Sequence, residues 1–291
     1  MKLRLFLLAI CLAACTTSGS SPTPAPATTA SPAAARPTPT RQPSPAPTQT
    51  IPPAPTRTPA STDPAASATP QATLPAGEEV LIAADDGLLI SGAFYPAEGP
   101  APWPGVLLLH MAYRTRADWN SLIPLLVRAG YAVLAVDLRG HGDTGGSIDW
   151  DKAAADMPPV WRYLSGRPDV DAARTAILGA SMGASLALHA GAGEPAVRIL
   201  VLLSPGLNYF GLATEAAMQA YGDRPVLMVA GSQNTYPAKS AQELAEIAPQ
   251  AQLQTYDTSA HGTDLLQETP EISPLILDWL EEHLKGNRPS S

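Results

Sequence analysis

Ser181 stands in the string Gly179-Ala180-Ser181-Met182-Gly183, which follows an aliphatic run and leads into a segment of small residues. A serine hydroxyl is a weak nucleophile until a neighbouring base takes its proton and nearby donors hold the oxyanion that its attack creates. The spacing suits that use if the chain turns sharply from strand to helix. Such an elbow lifts the hydroxyl above the sheet edge, and glycines two residues before and after remove side chains that would collide. A βα turn whose serine merely caps a helix carries a similar string, so the surroundings have to decide.

The base must be one of five histidines. His261, in "TSAHGTDLL", directly follows the last apolar run and precedes the final helical one. That placement lets it take the serine proton and later return it to a leaving group. A structural hydrogen bond in a loop is the plainer alternative. His189 falls two turns into the helix after Ser181, which favours a structural role, and His283 is expected to be solvated on the last helix. Backbone N–H groups serve as oxyanion donors without using side chains. Met182, after the nucleophile, is one candidate. The other comes from the loop "HMAYR" (110–114), where Ala112 is preferred over Met111. Tyr113 faces the site or packs beside it.

These residues need elements to position them. Two segments, 78–83 and 88–95, flank Asp85-Asp86-Gly87, a hairpin signal. The unbroken apolar run Val106–Leu109 reads as a strand buried on both faces. Strands at 131–137, 176–178, 198–203, 225–231 and 252–257 then alternate with helices at 117–129, 151–165, 182–192, 237–247 and 273–285. Such alternation implies right-handed crossovers and a mostly parallel sheet covered on both faces, with ligands bound at the carboxyl ends of the strands. Ser181 and His261 both fall at such ends.

The rest of the chain is of other kinds. Residues 1–15 have a basic start, an apolar run and the ending Leu12-Ala13-Ala14-Cys15, which resembles a bacterial lipobox. That resemblance implies a signal peptide, lipidation at Cys15, and an exported protein anchored outside the cytoplasm to the membrane or envelope. Residues 16–76 hold sixteen of the 32 prolines and no aromatic residue, so they are expected to be a disordered, extended spacer rather than a core. A domain of about 210 residues, 77–287, follows, then a tail at 288–291. The only cysteines are Cys11 and Cys15, which leaves the domain without disulfide, thiolate or cysteine–metal chemistry. A net charge of −8 with no basic cluster argues against nucleic-acid partners.

Taken together, "LLLHMAYR", "VDLRGHGDTGG" (136–146), "GASMG" and "SAHGTDLL" resemble the α/β-hydrolase superfamily in its compact, single-domain form, near dienelactone-hydrolase-like proteins and serine esterases. The resemblance implies an α/β fold: a mostly parallel central sheet with helices on both faces, an antiparallel N-terminal hairpin at one edge, and no large lid. It makes His141 a structural part of the turn after a strand. It implies hydrolysis of small carboxylic esters through an acyl-enzyme on Ser181, with no metal or organic cofactor. Its acid usually ends a Gly-x-x-Asp segment after the next-to-last strand. Here that segment is Gly231-Ser232-Gln233-Asn234. Asn234 is therefore expected in the acid's seat, with Asp257 and Asp264 as carboxylates close to His261 in sequence. The rival reading is a surface-tethered binding protein on a catalytically weakened hydrolase fold.

Overall fold

In a computed structural model, residues 73–285 are described. The leader with Cys15, most of the spacer and the tail lie outside them. Strands β1 (Glu78–Ala83) and β2 (Leu89–Tyr95) form the expected antiparallel hairpin, and Gly87 takes the positive φ of its turn. Six parallel strands follow: β3 (Trp103–Leu109), β4 (Ala132–Val136), β5 (Val170–Ala180), β6 (Val197–Leu203), β9 (Val226–Gly231) and β10 (Gln252–Tyr256). Their order is β1-β2-β4-β3-β5-β6-β9-β10, so the hairpin occupies one edge. A separate two-stranded ribbon, β7 (Asn208–Tyr209) with β8 (Leu212–Ala213), leaves the end of β6.

The strand residues alternate between two cores. Leu107, Leu109, Leu134 and Val136 face α2 (Trp150–Ser165), α3 (Met182–Gly193), α4 (Glu215–Tyr221) and α5 (Thr235–Ile247), packing with Met157, Leu186, Met218 and Leu244. Val106, Leu108, Val133 and Ala135 face α1 (Ile123–Arg128) and α6 (Ile272–Leu280), packing with Leu126, Ile276 and Trp279. An apolar run without alternation in a strand means that both faces are covered, and β3 and β4 show it.

Three expectations need correction. The helix read over 117–129 is a 3₁₀ turn (Arg116–Trp119) followed by α1. Pro124, which has no N–H to continue a preceding helix, sits in the first turn of α1, where that loss is harmless. The helix read over 273–285 is α-helical only to Leu280 and widens into a π turn over Glu281–Lys285. His283 is not solvated: its ring lies 4.0 Å from that of Trp279, and its Nε2 is buried. No helix among the described residues is long and apolar enough to cross a membrane.

Candidate active site

β5 ends at Ala180 and α3 starts at Met182, leaving Ser181 alone at the corner with φ 51° and ψ −114°. That is a strained conformation for a residue with a Cβ. The flanking glycines explain how it is tolerated. A Cβ on Gly179 would run into the backbone at Gly183, and one on Gly183 would run into the Leu109 and His110 carbonyls. Ser181 N–H donates to Leu203 O at 2.8 Å, which ties the corner to the end of β6. Ser181 is 7% exposed and opens on a cavity of about 310 Å³ lined by Met111, Ala112, Tyr113, Tyr209, Phe210 and His261.

His261 arrives on the loop after β10. Its Nε2 lies 2.7 Å from Ser181 Oγ, eighty residues away in sequence. The next residue, Gly262, has φ 58° and donates its N–H to Ser204 Oγ at 2.9 Å, fixing the loop against the end of β6. Burial lowers the His261 pKa from its ordinary value, while Asp264 works weakly against that shift. A lowered pKa keeps the imidazole neutral near pH 7, the form a base requires.

Asn234 takes the third place. Its Nδ2 lies 3.0 Å from His261 Nδ1. Neither nearby carboxylate replaces it. Asp264 pairs with Arg114 at 3.1 Å, and Asp257 accepts from Gln233 Nε2 at 3.0 Å. The ring is therefore oriented by a neutral amide.

Two other histidines hold the loop after β3. His110 Nδ1 is 2.7 Å from Met111 O, and its Nε2 accepts from Leu138 N–H at 2.9 Å. His141 Nδ1 is 2.9 Å from Arg139 O, and its Nε2 accepts from Tyr113 N–H at 3.0 Å. Each ring thus donates from Nδ1 and accepts at Nε2, which suits a structural role. These bonds use the Tyr113 N–H and the Met111 carbonyl and make no call on Ala112. The turn bearing His141 is pinned by buried charge. Asp137 accepts from Arg116 Nη1 at 2.6 Å, and Arg139 pairs with Asp156 at 2.6 Å and Asp86 at 2.9 Å. His189, as expected, bonds the Ala213 carbonyl at 2.8 Å, away from the cavity.

Tyr209 and Phe210 are the site residues that the sequence reading missed. The Tyr209 ring stands edge-on to His261 with centroids 6.2 Å apart, and its hydroxyl donates to Ser204 O at 3.3 Å. Burial pushes its pKa up to about 12, with the neighbouring Ser181 hydroxyl opposing the rise. The signal was present as Asn208-Tyr209-Phe210-Gly211, aromatic residues running into a turn glycine just after a strand end.

The covered parallel sheet, the strained serine at its carboxyl edge and the histidine from the last loop make this the α/β-hydrolase fold. The family described as serine aminopeptidase, S33, matches residues 105–223, the stretch from β3 to α4 that contains the elbow. An uncharacterized protein of Mycobacterium tuberculosis is 35% identical over 144 residues, 49% of this chain. The chain spans about half the length (51%) of that relative. Among solved structures, an esterase of Pyrococcus furiosus superposes with a TM-score of 0.62 at 20% identity, covering 72% of this chain and 91% of that one. A dienelactone hydrolase of Anabaena variabilis does so with a TM-score of 0.60 at 19% identity, covering 72% and 99%.

Proposed function

We propose that this chain is a serine hydrolase of carboxylic esters, held outside the cytoplasm by a lipid on Cys15. The observation that carries the chemistry is the 2.7 Å approach of His261 Nε2 to a strained Ser181 Oγ. Ser181 Oγ attacks the ester carbonyl carbon as His261 Nε2 takes its proton. The resulting oxyanion is held by the N–H groups of Met182 and Ala112, with the N-terminus of α3 adding positive potential. The imidazolium protonates the alkoxide as the C–O bond breaks, leaving an acyl group on Ser181. Water then attacks that group, giving its proton to His261, and Ser181 is regenerated as the acid leaves. Every proton moves between groups of this chain, the substrate and water.

An ester fits the cavity better than the peptide N-terminus implied by the name of the matching family. An aminopeptidase needs a carboxylate to receive the substrate ammonium, and the residues lining this cavity include none. The short connection from β6 to β9 carries only the ribbon and α4, which suits small or surface-exposed esters.

One observation favours the second reading, a tethered binding protein on a weakened hydrolase fold. With Asn234 Nδ2 facing Nδ1, the ring proton belongs on Nε2, which then cannot accept from Ser181. Half a turn of the amide presents Oδ1 instead and restores the base. Treatment of the purified full chain with a fluorescent fluorophosphonate decides between the two. Labelling that is lost in both Ser181→Ala and His261→Ala supports the enzyme. A folded chain that takes no label supports the binding protein.

A further inference from the structure

Around the mouth of the cavity, two aromatic rings stand in an arrangement that folding alone does not reward. Tyr113 has φ 63° and is 70% exposed, and Phe210 has φ 52° and is 55% exposed. Positive φ is a genuine outlier for a bulky side chain. It persists only where the surroundings enforce it, and such residues gather at ligand clamps. Exposing a large aromatic surface forgoes burial as well. Both disadvantages fall on both residues, and the two rings meet edge to face across the mouth, 6.1 Å apart at 86°.

The backbone holds each ring in place. Phe210 and Gly211 are the central pair of the β7–β8 hairpin, both with positive φ, the pattern of a type I′ turn. The first position of that turn favours Asn, Asp or Gly, and here it carries Phe. The ribbon is clamped from two sides: Asn208 Oδ1 accepts from Gly211 N–H at 2.8 Å, and Tyr236 OH bonds both the N–H and the carbonyl of Asn208 at 2.9 Å. Tyr113 is held through its N–H by His141. Behind Phe210, Trp150 stacks at 5.4 Å and 24° and continues the aromatic surface to His141, 5.5 Å further. Apart from Ser181 and His261, the rest of the lining is Met111, Ala112 and Tyr209, with no carboxylate, lysine or arginine. Its volume is at the small end of ligand sites.

From this we infer that the site selects small, neutral esters carrying an aromatic ring, which packs against the rim formed by Tyr113 and Phe210 while the ester carbonyl lies at Ser181. This deepens the ester-hydrolase reading and rests on it. A saturated ring of the same shape loses the edge-to-face and stacking contacts, and an anionic ring finds no cation in the cavity.

The test compares benzyl acetate with cyclohexylmethyl acetate, which share size and leaving-group type, and with 4-carboxybenzyl acetate. In the wild-type chain, kcat/KM for benzyl acetate is expected to exceed that for the saturated ester about 3- to 10-fold, the range of one or two aromatic pairs. The carboxylated ester is expected to be at least about tenfold poorer than benzyl acetate, because its charge is desolvated without a partner. Phe210→Asn is the informative variant, since asparagine suits the turn. It should raise the thermal midpoint and bring the benzyl preference towards one. Tyr113→Asn should reduce the preference likewise. Equal rates for the two neutral esters in wild type, or a preference unchanged in Phe210→Asn, overturns the inference. Calorimetric binding of benzyl acetate to Ser181→Ala tests the mouth without turnover: affinity that falls about threefold or more on adding Phe210→Asn supports the inference, and undetectable or unaltered binding overturns it. Failure of the hydrolase reading shows separately, as absence of fluorophosphonate labelling in wild type.

Discussion

Replacing Asn234 by Asp puts a negative charge beside the histidine of a site that lacks one, and the structure sets the size of the effect. The side chain reaches within 3.0 Å of His261 Nδ1, which places the centres of carboxylate and imidazolium about 4 Å apart. At an effective dielectric of about 20, the attraction is about 4 kcal/mol, equivalent to about 10³ in rate. A carboxylate also accepts only, so the proton must sit on Nδ1 and leave Nε2 free for Ser181. Asn234 is half-buried, and solvent at its edge brings the expected gain to about 10²–10³ in kcat. The direction matches the loss of about 10⁴ when Asp becomes Asn in the triad of a serine protease. The pH profile supplies a second readout. In the natural chain burial lowers the His261 pKa, so the rate should rise through a pKa below the ordinary histidine value and be flat at neutral pH. The new carboxylate favours the charged ring, so in Asn234→Asp the rising limb moves to higher pH. The assay is p-nitrophenyl acetate turnover from pH 4.5 to 9, with fluorophosphonate labelling as a check on the site. A folded, labelled variant whose kcat changes less than threefold and whose limb stays in place refutes the reasoning. It would mean that the amide oxygen of Asn234 already orients the ring and that charge contributes little.

Other consequences can be checked separately. Gly183→Ala drives a Cβ into the Leu109 and His110 carbonyls, so activity should fall at least about 10²-fold with a lower melting temperature, whereas Gly193→Ala, which meets open space, should leave both unchanged. Burial depresses His110 to about 4. Between about pH 6.5 and 4 the unfolded chain binds a proton that the folded chain excludes, so stability rises with pH across that window, by about 3 kcal/mol in all. Denaturant midpoints from pH 4 to 7.5 should show this slope, and His110→Gln should reduce it. Cys15→Ser should abolish the lipid mass increment and release the chain from the membrane fraction. Unchanged partitioning would remove the anchor from the proposal.

The fold was legible because its signals are local and repeated. Val106–Leu109 and Ala132–Val136 are too apolar to be strands with a wet face, and the helices between them force parallel pairing. Ser181 and His261 could be paired because strand ends gather at one edge whatever the details of the loops. Asn234 was reached through the family resemblance, whose acid closes a Gly-x-x-Asp segment; here that segment is Gly231-Ser232-Gln233-Asn234. The misses share a different cause. Tyr209 and Phe210 reach the site through a six-residue ribbon whose register depends on a hairpin turn with Phe at a position that normally carries Asn. The break before α1 turns on Pro124, which was read as an ordinary helical residue. His283 was expected to be solvated on the last helix, yet it follows Trp279 at the i,i+4 spacing of same-face neighbours, and its ring packs there.

The β7–β8 ribbon is also the cheapest part of this molecule to rewrite. It pairs only with itself, through Asn208 with Ala213 and Tyr209 with Leu212, and adds no strand to the eight-stranded sheet. Chain length added at its two-residue tip would extend over the mouth without shifting a residue of either core, because loop closure becomes only slowly more expensive with length. Descendants of such a chain can therefore change what they admit by lengthening or shortening one hairpin while Ser181, His261 and the strands behind them stay as they are. A graft of two to six residues between Phe210 and Gly211 would imitate that route in the laboratory.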